Sequence, residues 1–126
     1  MAYSLNLYRR ARQTLRDSLR LLPEVGMKRI ALHGTGEAAE LAYITLKEFG
    51  LEPVGVFSRE PGEVFLGLSV RPIADLATEE VDAIVLATFE PPEPYLAELT
   101  GLGVEAKKVL TLRRPAPSPR GNGGAA

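Results

Sequence analysis

The stretch from Lys28 to Phe49, KRIALHGTGEAAELAYITLKEF, limits what this chain can fold into more than any other. A short apolar run, Ile30-Ala31-Leu32, meets the turn Gly34-Thr35-Gly36, and an alanine-rich helical pattern begins at once. A strand must therefore pass the chain to a helix within a few residues, in the spacing G-x-G-x-x-A that ends at Ala39. Gly34 lets the backbone leave the strand at angles that a side chain resists. Gly36 leaves room for a phosphate to approach, and Ala39 lets the helix lie close on the sheet. The bare N–H groups at the helix start, together with the helix dipole, favour an anion there. His33, Gly34, Thr35, Gly36, Glu37 and Ala38 are thus candidate ligand contacts. His33 is the only histidine and stands at the strand end. Glu37 is itself stabilised by the dipole, and it either competes with a phosphate or faces solvent.

The rest of the chain fits around this unit. Residues Tyr3 to Leu22 carry Tyr8, Ala11, Leu15, Leu19 and Leu22 at helical spacing, with Arg9, Arg12, Arg16 and Arg20 mostly on other faces. Pro23 and Gly26 end this amphipathic helix, which either packs on the sheet or pairs with its copy. Gly50 stops the second helix, and Pro53 to Ser58 reads as the second strand. About twenty residues after the glycines, dinucleotide-binding domains place an acidic residue on the ribose hydroxyls. Here stand Ser58 and Arg59, a hydroxyl and a guanidinium that suit a 2′-phosphate and tilt the choice from NAD towards NADP. Glu60 to Glu63 is a turn, and Val64 to Val70 is an extended excursion with a glycine bend. Pro72 and Ile73 to Leu76 start a short helix.

Asp82 to Ala87 is a continuous apolar run, as in a parallel strand covered on both faces. It ends at Thr88-Phe89-Glu90, and Thr88 and Phe89 are candidate pocket residues because ligands of open α/β sheets sit beyond the carboxyl ends of the strands. Pro94 to Leu102 is a helix and Lys107 to Leu112 the last strand. The expected fold is α/β: a single Rossmann-like domain over residues 27–112, its mostly parallel sheet carrying helices on both faces. The amphipathic N-terminal helix in residues 1–26 serves docking or dimerisation. Residues 113–126 have the composition of a disordered tail.

Composition narrows the chemistry. The chain has 126 residues, no cysteine and one histidine, which excludes disulfides, thiolate catalysis and His- or Cys-rich metal sites. No apolar run spans a membrane and no export signal is legible, so a cytoplasmic protein is expected. Scarce Asn, Gln and Met with no Cys is compatible with a heat-adapted source. Residues 1–30 carry a charge of +5 and residues 31–112 carry −9, so the basic start is expected to contact the acidic body or its copy. With that acidic body and no aromatic platform among the arginines, direct nucleic-acid binding is not expected.

The residues Gly34-Thr35-Gly36-Glu37, Val54-Gly55-Val56-Phe57, Phe65-Leu66-Gly67-Leu68-Ser69-Val70 and Val81 to Ala87 carry a resemblance over about two-thirds of the chain. From Lys28 to Leu112 the sequence resembles the N-terminal domain of sialic-acid-type sugar O-acyltransferases. It is similar also to a domain of sugar C-methyltransferases and to the module that follows the winged helix in some transcriptional regulators. In the acyltransferases that domain binds a nucleotide-sugar, and in the regulators it implies sensing or dimerisation. The family's Asp after the second strand is Ser58-Arg59 here. With no hexapeptide-repeat helix and no winged helix in the sequence, acyl transfer and DNA binding are not expected.

Three functions remain. The first is a non-catalytic nucleotide-binding module, regulatory or sensing, which takes NADP, NAD or a nucleotide-sugar and forms a homodimer through residues 3–22. The second is a small NADP-dependent oxidoreductase or a subunit of one, with His33, Tyr43 or Glu90 as the available proton donors. The third is a structural dimerisation domain with a vestigial nucleotide site. No catalytic constellation and no metal site is read from the sequence.

Overall fold

The structure, a computed structural model, describes residues 5–20, 26, 28–62 and 64–112. The expected tail at 113–126, the helix boundaries at Tyr3 and Leu22 and the turn residue Glu63 lie outside these.

Helix α1 runs Leu5–Leu19, and strand β1, Ile30–His33, leads through the glycine turn into α2, Glu37–Glu48. Strand β2 is Pro53–Ser58. A hairpin of β3, Val64–Phe65, and β4, Leu68–Pro72, follows, then a 3-10 turn at Ile73–Ala77. Strand β5, Ala83–Leu86, helix α3, Glu93–Gly101, a second 3-10 turn at Ala106–Lys108 and strand β6, Val109–Thr111, complete the described chain. The sheet has six strands in the order β3-β4-β2-β1-β5-β6, parallel except where β3 meets β4. The fold is α/β with a mostly parallel sheet, as the sequence implies.

Strand β1 lies at the centre and is buried at every position because β2 and β5 pair with it on its two sides. Alternate residues of a strand point to opposite faces, and here they enter two different apolar clusters. Ile30 and Leu32 join Leu15 and Leu19 of α1 with Ala39, Ala42 and Leu46 of α2. Ala31 and Ile84 join Phe57, Ile73, Leu76 and Leu99. The alanines of α2 keep the helix axis near the sheet, as expected of Ala39.

The structure adds detail to two sequence readings. The excursion after the turn contributes β4, whose Val56↔Val70 register adds a parallel strand beside β2. Residues that alternate in short runs around a glycine bend read as a local hairpin, and the second, long-range pairing of β4 leaves no local mark. The α1 stripe also has an occupant. Ala11, Leu15 and Leu19 are buried within the chain, against α2 and β6, so α1 packs on its own body. A twin-helix seam through residues 3–22 would use other faces, on which Leu5 is exposed. The charge asymmetry is met in the same place, since Arg12 and Arg16 both bond the carboxylate of Glu48 on α2.

Candidate functional site

The chain runs from β1 outward through β2 to β4, then returns to the other side of β1 to build β5 and β6. The strand order reverses between β1 and β5, and there the loops leaving the two strands diverge and open a crevice. Two main-chain bonds fix its floor. The Ala87 N–H donates to the His33 carbonyl at 3.0 Å, and the Gly34 N–H donates to the Phe57 carbonyl at 2.8 Å.

The two glycines of the turn are held for different reasons. Gly34 has φ of +117°, and a Cβ there would stand 3.0 Å from the Ala87 carbonyl oxygen. Geometry and packing both require glycine. Gly36 has φ of −97° and ψ of −158°, ordinary extended backbone, and a Cβ built on it meets no atom within 4 Å. The fold does not require glycine at this position. Gly36 is the N-cap of α2 without a capping side chain, and its carbonyl accepts the N–H groups of Ala39 and Glu40 at 3.0 and 3.1 Å. The Glu37 and Ala38 amides, which open α2, have no carbonyl a turn back within the helix to accept them.

Two adjoining pockets share Ala87, Thr88 and Tyr95. One, of about 210 Å³, lies over Gly36, Glu37 and Ala38 and is closed by Phe89 and Glu90. The other, of about 170 Å³, is lined by His33, Gly34, Ser58, Arg59 and Ile73. Among the residues expected here from the sequence, only Thr35 lines neither. Phe89 is nearly buried, its ring edge-on to Tyr8 at 5.1 Å, so it ties α1 to the pocket wall. Tyr43, a candidate proton donor, sits on α2 beneath Lys47 and lines neither pocket.

The charged and polar groups around the crevice form pairs. Arg59 donates Nε and Nη2 to one oxygen of Glu98, at 3.3 and 3.0 Å, and lies over the Tyr95 ring at 5.5 Å. Glu98 raises the Arg59 pKa above its ordinary value. A 2′-phosphate at Arg59 would compete with this carboxylate. The Tyr95 hydroxyl donates to Glu90 at 3.1 Å, and that bond pushes the phenol pKa up. Glu90, the best-placed acid in the sequence, is therefore engaged with Tyr95. The Ser58 and Thr88 hydroxyl oxygens accept the N–H groups of Glu60 and Glu90 at 3.2 and 3.0 Å. Each hydroxyl keeps its own proton to donate.

His33 differs from these groups. Its side chain is 6% exposed, its ring is edge-on to Tyr95 at 5.9 Å, and its Nε2 is buried with no hydrogen-bond partner among the described residues. Desolvation holds its pKa below the ordinary histidine value, opposed by a bond to its own backbone and by Glu98. Held below its ordinary pKa by burial, the ring is neutral at pH 7, and Nε2 finds no partner as donor or acceptor among the described residues.

Tyr95, Glu98 and Ile73 were not expected at the site. Tyr95 reads in sequence as part of the apolar face of a helix, yet it forms the wall common to both pockets. A tyrosine and a glutamate three residues apart on a helix share a face, and that spacing was the available signal. A larger cavity, of about 590 Å³, opens along α1 between Leu7, Arg10, Thr14 and Leu112. It lies beside Leu112, just past the end of β6, and its polar lining comes from a single helix. Among the described residues no group of three or more His, Asp or Glu could hold a metal ion, and no helix is long and apolar enough to cross a membrane. No protein-family model matches the chain, and no curated protein does.

Proposed function

We propose that this chain is a nucleotide-binding module of the NAD(P) or nucleotide-sugar class, in which a phosphate rests on the amides that open α2 and no bond of the ligand is broken. The observation that carries the reading is Gly36. It is a helix N-cap with no side chain, at a position where neither backbone angle nor packing calls for glycine, at the point where strand order reverses. A serine or aspartate there would cap α2 better, so the missing side chain has a reason outside the fold. Phosphate on bare N-terminal amides supplies one.

The chemistry around the crevice favours a receptor over a catalyst. Arg59 is paired with Glu98 and Glu90 with Tyr95, and neither pair presents a free acid beside a free base. The Arg59–Glu98 pair opposes a 2′-phosphate while the Arg59 charge favours one, so the choice between NAD and NADP is left as a question for binding.

The test is Gly36→Asp. The aspartate caps α2 and leaves the free protein as stable as before or slightly more so, while its charge and bulk occupy the phosphate position. In thermal shift with NAD, NADP, adenosine diphosphate and uridine-diphosphate sugars, a ligand at a hundred times its dissociation constant adds about 2.7 kcal/mol to the parent protein. The variant is expected to show no such gain. If no nucleotide shifts the parent, or if Gly36→Asp binds as the parent does, the reading fails.

A further inference from the structure

The pocket beside β2 shows what part of a nucleotide it would hold. One of its lining residues, His33, has a buried Nε2 with no hydrogen-bond partner among the described residues, and its ring is almost wholly enclosed. A buried polar atom left without a bond is rare and calls for a reason. With its proton on Nδ1, the neutral ring offers Nε2 as an acceptor, and what that atom needs is an O–H or N–H from outside the described residues. The same pocket holds the hydroxyls of Ser58 and Thr88. Each already accepts a backbone N–H, and so each can donate. One acceptor and two donors around about 170 Å³ complement a group that both donates and accepts, which is a hydroxyl. An amide or amino N–H would satisfy His33 and leave the two donors unmatched.

We propose that His33 Nε2 accepts a hydrogen bond from a ribose hydroxyl of the bound nucleotide, with Ser58 and Thr88 donating to the sugar oxygens. The inference rests on the nucleotide reading above and adds the sugar as the recognised part. His33 is a binding residue here. In this arrangement the neutral ring carries its proton on Nδ1, which sets the direction of the bond.

The probes are adenosine diphosphate, uridine diphosphate, their 2′-deoxy and 3′-deoxy forms, and inorganic pyrophosphate, titrated calorimetrically into the full chain. Against the parent, one deoxy form of the nucleotide that binds is expected to bind about tenfold more weakly than the ribonucleotide. His33→Phe keeps the volume and removes the acceptor. It is expected to bind the ribonucleotide and that deoxy form alike, with pyrophosphate unchanged. His33→Gln is expected to recover part of the difference. His33 is the sole histidine, so its imidazole nitrogens are also read without overlap by NMR. The Nε2 resonance is expected to be unprotonated in the free parent protein and to move with the ribonucleotide but not with the deoxy form. That measurement stands even if a variant fails to fold. A ribonucleotide that binds equally to parent and His33→Phe, or that leaves Nε2 unmoved, overturns the role of His33 while the nucleotide reading survives. If no nucleotide binds the parent at all, both fall together.

Discussion

Gly34 holds a backbone angle that side chains rarely adopt, with the Ala87 carbonyl pressed against the space where a Cβ would go; Gly36, two residues on, has neither constraint. Alanine should separate them. Gly34→Ala is expected to destabilise by about 1–3 kcal/mol, and Gly36→Ala by less, about 0.5–1 kcal/mol, because alanine caps a helix less well than glycine does, both read from urea midpoints. His33 makes a prediction of its own. Its folded pKa is lowered, so below about 6.5 the unfolded chain binds a proton that the folded chain refuses. Stability therefore falls as pH drops through the ordinary histidine range, and the loss grows until the folded pKa is reached. Glu98 and Arg59 face the ring with opposing effects, and desolvation is the largest influence. His33→Gln should remove the pH dependence in that window, as urea unfolding at pH 7 and near pH 5.5 would show. Asp82 is separable because its lowered pKa, set by the N–H groups of Arg29 and Lys28, acts only at more acid pH.

At the scale of elements, α1 is held by its apolar stripe more than by its charges. Leu15 and Leu19 are fully buried, whereas the Arg12 and Arg16 bonds to Glu48 lie at the surface. Leu15→Ala is expected to cost about 3 kcal/mol, while Glu48→Gln should have a small effect that disappears in high salt; chemical denaturation at two ionic strengths compares them. The strand–turn–helix was legible in sequence because each of its signals is local: the apolar run, the two glycines, the alanines. β2 could be read to its residue bounds for the same reason. The second pairing of β4 and the Arg59–Glu98 bond could not, because their partners are distant in sequence and meet only once the sheet has closed. Tyr95 falls on the helix expected from Pro94 to Leu102, among its apolar residues. Apolar periodicity gives a helix a face, and it does not say that the face ends at a pocket.

At the scale of the whole molecule, the order of strands decides where chemistry can happen. Of the residues expected at a site from sequence alone, those on three separate loops, after β1, β2 and β5, converge at the reversal between β1 and β5. That convergence was legible because the carboxyl ends of parallel strands fall on one edge of a sheet. The bonds that His33 and Arg59 can offer were not legible, because they depend on which neighbours claim them.

The groove along α1 has a consequence for how the chain can be rewired. Leu7 and Arg10, near the first described residue, line it together with Leu112, the last. Entry to and exit from the fold are thus neighbours. Joining them by a short linker and cutting the exposed turn between Glu60 and Pro61 should give a circular permutant that folds, since no central strand is interrupted. Its melting temperature is expected to stay within several degrees of the parent's by calorimetry. A permutant that fails to fold would mean that α1 must form before the sheet it covers.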